Sequence, residues 1–64
     1  MVEVNEFLVL DYVREQQHTT RPEIARALDL SPASVSRIVG RLLRAGLVAE
    51  SGGSPAATIF SPGR

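Results

Sequence analysis

The chain contains no cysteine, which leaves it no disulfide and no thiolate for zinc. Its one histidine, His18, lies in the polar run Gln16-Gln17-His18-Thr19-Thr20, the setting of a solvated loop residue and not of a ligand or a base. No cluster of metal-ligating side chains appears, so no metal and no cofactor is expected. No apolar run approaches the roughly 18 residues that cross a bilayer. Nor does a charged segment followed by an apolar one precede a cleavage site, and a cytoplasmic protein is the expectation. Lysine is also missing, so all 7 basic residues are arginine. That choice suits bidentate contacts to guanine or phosphate, although a GC-rich genome produces the same bias. The formal net charge is zero, whereas a protein that coats DNA indiscriminately is strongly basic.

What the zero conceals is a gradient. Residues 1–30 hold six acids and three arginines, −6 + 3 = −3; residues 31–64 hold four arginines and one acid, +4 − 1 = +3. A dipole of this kind offers one basic end to a polyanion and keeps indiscriminate affinity low.

Thr20 to Gly46 carries the strongest pattern. Ile24, Ala25 and Leu28, then Val35, Ile38, Val39, Leu42 and Leu43, follow the spacing of helices that bury one stripe each. Only Asp29, Leu30 and Ser31 separate the stripes, too short a link for two antiparallel neighbours, so the helices should cross steeply as a helix-turn-helix. Thr20-Arg21-Pro22-Glu23 is a capping box that starts one helix at about Arg21: the Thr20 hydroxyl takes the Glu23 amide, and the Glu23 carboxylate reaches back to the Thr20 amide. Ser31-Pro32 starts the next, a hydroxyl cap followed by a residue whose fixed φ suits the first turn. Gly46, free to take a left-handed conformation, ends it.

On a helical wheel Ala33, Arg37, Gly40, Arg41 and Arg44 fall roughly opposite Val35, Ile38, Val39 and Leu42. Three arginines spaced i, i+4 and i+3 repel one another, and this helix has no acid to offset them. An anionic partner accounts for them better than a merely solvated face does.

The run from Thr20 to Val48 resembles the winged helix-turn-helix of bacterial transcription factors, both the N-terminal domains of ROK-family repressors and MarR-type regulators. The likeness covers roughly residues 6–61, and the spacing of Ala25, Leu30, Val35 and Ile38 makes it specific. It departs at Asp29, where such turns usually carry glycine; aspartate tolerates positive φ better than most residues.

The fold this implies is mainly α with a small β-hairpin, one three-helix winged helix-turn-helix over residues 1–64. Its helices are expected at about 3–16, 21–28 and 32–45, and the wing at about 47–61. Leu47-Val48-Ala49-Glu50 and Thr58-Ile59-Phe60-Ser61 are the wing's β-prone runs. The implied function is sequence-specific binding of double-stranded DNA by a repressor-type regulator, with the third helix in the major groove. The DNA-facing residues are then Arg21, Pro32, Ala33, Ser34, Ser36, Arg37, Arg41 and Arg44, with the backbone amides of Gly52 and Gly53 at a wing tip that has no basic residue. The alternative is a winged helix that serves only protein interaction, favoured by the zero net charge and the bare wing. No small-molecule site and no catalytic residue can be argued; Ser31, Ser34 and Ser36 have no histidine beside them.

Two apolar stripes run along the first helix. Phe7, Leu10 and Val13 should cover the helix pair, and Glu3 and Glu6 should sit in the first turn, where they favour the helix dipole. Val4, Leu8 and Tyr12 lie on another face. They either meet the same stripe of a second copy, giving a homodimer, or lie beneath the C-terminal tail, Phe60 to Arg64. A chain of 64 residues buries only about 60% of its unfolded surface, so a partner subunit would help.

Overall fold

The computed structural model describes residues 4–52 and 57–62. Three helices, α1 (Val4–Gln16), α2 (Arg21–Leu28) and α3 (Pro32–Arg44), pack with three short strands, β1 (His18–Thr19), β2 (Ala49–Ser51) and β3 (Thr58–Phe60). The sheet is antiparallel in the order β1-β3-β2, with Thr19 and Glu50 both opposite Ile59. This is a winged-helix architecture.

Local chemistry sets most boundaries. Thr20, extended at φ −130°, accepts the Glu23 amide at 3.3 Å and opens α2. The returning half of the expected capping box is different: the Glu23 carboxylate accepts from the Thr19 hydroxyl at 3.0 Å instead of the Thr20 amide. Asp29 closes α2 in the left-handed region at φ 57°, and the Leu30 amide reaches back to the Ala25 carbonyl at 2.9 Å. An aspartate thus does what glycine does elsewhere, at a modest steric cost. Gly46, at φ 77°, follows α3 with paired bonds from its own amide to Leu43 and from the Leu47 amide to Leu42, a Schellman closure. Gln17 performs the corresponding turn after α1 at φ 68°, a position no glycine or asparagine marks.

The core joins Val9 and Val13 of α1, Ile24 of α2, Val35, Ile38, Val39 and Leu42 of α3, and Val48 and Ile59 beside and within the wing. The expected stripes of α2 and α3 therefore face inward. On α1 the expectation fails in part, because apolar residues surround this helix and its own sequence does not choose a face. Phe7 does not cover the helix pair; it is 57% exposed. Glu6 lies in the first turn as the sequence places it, and is buried there in line with Val9 and Val13. Tyr12 is half-buried against the core, leaving Val4 and Leu8 exposed.

His18 is exposed as expected but belongs to a strand, with its ring 6.2 Å from that of Phe60. Phe60 is thereby held at the far end of α1, and no described part of the tail covers Val4 or Leu8. The wing strands are shorter than the runs that predict them. Glu3, Gly53 and the last two residues of the tail lie outside the described residues. Among the described residues no helix is long and apolar enough to cross a membrane.

Candidate nucleic-acid interface

The N-terminus of α3 is built by Ser31. Its hydroxyl accepts the Ser34 amide at 3.1 Å and donates to the Ser34 hydroxyl at 3.0 Å. Ser34, one of the expected DNA contacts, is thus half-buried and tied into the cap. Pro32 follows in the first turn, where its missing N–H costs no hydrogen bond. Replacing Ser31 by alanine should cost about 1 kcal/mol, read as a lower melting temperature. An unchanged melting temperature would place the start of α3 elsewhere.

Beyond the cap, Pro32, Ala33, Ser36, Arg37 and Arg44 are exposed on the side away from Val35, Ile38, Val39 and Leu42. Gly40 shares that side, and a methyl group added there would meet nothing within 4 Å. The helix offers an open, small-residue surface with arginines along it. Such a surface can approach the floor of a groove more closely than one studded with large side chains.

Arg21 and Arg41, both expected contact residues, are ion-paired within the chain. Arg21, at the first position of α2, places Nη2 3.1 Å from Glu50 Oε1 of β2 and so ties the helix-turn-helix to the wing. Arg41 places Nε 2.7 Å from Glu6 Oε2. That oxygen has no hydrogen bond, so the approach is a charge contact off the N–H direction. The Arg41 side chain is half exposed and the Glu6 side chain almost fully buried.

Neither acid lies on α3, so the absence of acids within that helix did not reveal its neighbours. A signal for one pair was present: Glu6 aligns with Val9 and Val13 at i, i+3, i+7, and Arg41 lies on the wheel roughly 120° from Val35, at the flank toward Ile38.

Arg21, Pro22, Ala25, Pro32 and Ser36 line a hollow of about 230 Å³ where the first turns of α2 and α3 meet. The structure brings Arg21 together with Pro32 and Ser36 of α3. Gly52 is exposed at φ 92° at the base of the wing turn, and Gly53 lies outside the described residues. Among the described residues no three acidic or histidine side chains gather as they would around a metal ion.

A family model described as MarR family matches residues 2–55. The chain belongs to the MarR family. This is a family of winged-helix transcription regulators that bind DNA, and its members are regulators and not enzymes. The three helices and small antiparallel sheet agree with that membership. No curated protein matches the chain.

Proposed function

We propose that this MarR-family domain reads a specific operator in double-stranded DNA as a repressor-type regulator in the cytoplasm, with α3 lying in the major groove. The observation that carries the reading is the division of α3: one side supplies four buried core residues, and the other presents Pro32, Ala33, Ser36 and Arg37 near the helix start. The N-terminal half of a recognition helix normally reaches base edges. Arg37 is accordingly the base reader, Ser34 and Ser36 stand beside the backbone, and Arg44 meets phosphate further along. Arg41 donates to phosphate from the flank, and Arg21, with the amide of Gly52, borders the interface on the wing side. Resemblance to the N-terminal domains of ROK-family repressors supports the repressor assignment.

Recovery of bound sequences from random duplexes, followed by binding of Arg37→Ala, tests the reading. Loss of Arg37 should cost about 1–3 kcal/mol and relax the preference at one base pair. Uniform weakening on all sequences would deny Arg37 its base. Binding that does not respond to salt would leave a protein-interaction module instead.

The same reading takes Val4 and Leu8, with the outer part of Tyr12, as the face on which two copies meet, matching paired half-sites.

A further inference from the structure

Glu6 is the one acidic side chain buried among the described residues, and it sits where α1 crosses α3. Its carboxylate borders an apolar hollow that Phe7, Leu10, Leu42 and Ala45 help to line, and at 2.7 Å it stands in direct contact with Arg41. A carboxylate in that setting keeps its cation, because releasing Arg41 would leave a bare buried charge. The Arg41 side chain nevertheless remains 53% exposed, and the contact engages Nε, the nitrogen nearest the stem.

We propose that Glu6 is a positioning residue of the DNA interface, which holds Arg41 by Nε and cancels its charge, so that Arg41 meets phosphate as an oriented hydrogen-bond donor without acting as a net cation. The consequence is specific. Counterion release, which makes non-specific binding strong and salt-dependent, scales with the phosphates neutralised. A paired Arg41 adds contact and register but nothing to that count, which lowers affinity for arbitrary sequence relative to the operator. The inference rests on the DNA-binding reading above.

The test measures binding to random-sequence duplex as a function of salt for wild type, Glu6→Gln and the double variant Glu6→Gln/Arg41→Gln. Glutamine keeps the shape of Glu6 and releases the Arg41 charge. The slope of log affinity against log salt should steepen by about 0.9 in Glu6→Gln, so this variant loses about 3.5-fold more affinity than wild type between 50 and 200 mM salt. The double variant should keep the wild-type slope. Were Arg41 already a full cation on DNA, Glu6→Gln would keep the wild-type slope and the double variant would be shallower by about 0.9; that result overturns the proposal.

Melting temperatures without DNA provide the second arm. Arg41→Gln should be destabilised, and adding Glu6→Gln should recover most of the loss. Additive losses would show that the pair is not held. If wild type bound no duplex at all, the DNA reading would fall and this role of Glu6 with it, whereas binding with the wrong pattern of slopes removes the inference alone.

Discussion

Ile38→Ala should leave the domain at the edge of unfolding. Ile38 is fully buried in the cluster that Val9 and Val13 enter from α1, Ile24 from α2 and Ile59 from the wing. Truncating a buried isoleucine removes its transfer free energy and leaves a cavity, about 2–5 kcal/mol in all. A chain of 64 residues at about 0.05–0.15 kcal/mol per residue has roughly 3–10 kcal/mol to lose. The cavity is therefore comparable with the whole margin, and every element that positions α3 shares it. Urea denaturation followed by far-UV circular dichroism should show a midpoint near zero denaturant. Ile38→Val, which removes one methylene, should cost only about 0.5–1.5 kcal/mol and retain DNA binding. A well-folded Ile38→Ala losing less than about 1 kcal/mol would mean that the core closes around the gap or is centred elsewhere.

The parts of this fold that were legible in the sequence are those governed by chemistry a few residues long. Thr20 and Ser31 are caps because a hydroxyl reaches an amide three residues on, and Asp29 and Gly46 take positive φ where their helices stop. The stripes of α2 and α3 were equally plain, since polar residues occupy their other sides.

What escaped depends on contacts distant in sequence. The rotation of α1 is one case: with Val4, Phe7, Leu8, Val9, Leu10, Tyr12 and Val13 distributed around it, the partner surface decides which of them go inward. The Glu6–Arg41 contact is part of that decision, because the pairing lets an acid occupy a core-facing position. Strand β1 also escaped, because its 2 residues hold their shape only by pairing with β3. The candidate site divides along the same line. Its α3 residues follow from one amphipathic helix, whereas the partners of Arg21 and Arg41 come from β2 and α1.

Leu8→Glu should abolish self-association and leave the fold intact. Val4 and Leu8 are 73% and 44% exposed, and Phe7, which the sequence assigned to the interior, adds a third apolar side chain at 57%. On the wheel of α1 these three span roughly 100° centred away from Val9 and Val13, with Tyr12 at the edge toward the core. The outward face is thus broader than the ridge of Val4, Leu8 and Tyr12 that the sequence indicates.

Full burial of an aliphatic side chain contributes on the order of 1.5–3 kcal/mol. Residues already partly covered contribute less, but two copies of the patch across a two-fold axis offset a useful part of the association entropy. A glutamate at position 8 would face its own copy there, while in the monomer it would stand largely in water. Wild type should therefore sediment with a mass that rises toward dimer as concentration increases, and Leu8→Glu should remain a monomer with an unchanged circular dichroism spectrum.

On an operator with two half-sites the variant should bind on the order of 10² weaker, the advantage of tethering one half-site reader to another, with single half-site affinity little altered. Phe7→Glu, more exposed still, should behave in the same way. If wild type remains monomeric at high concentration and both variants fold and bind like it, α1 does not join two copies. Half-site pairing must then be made by residues other than these.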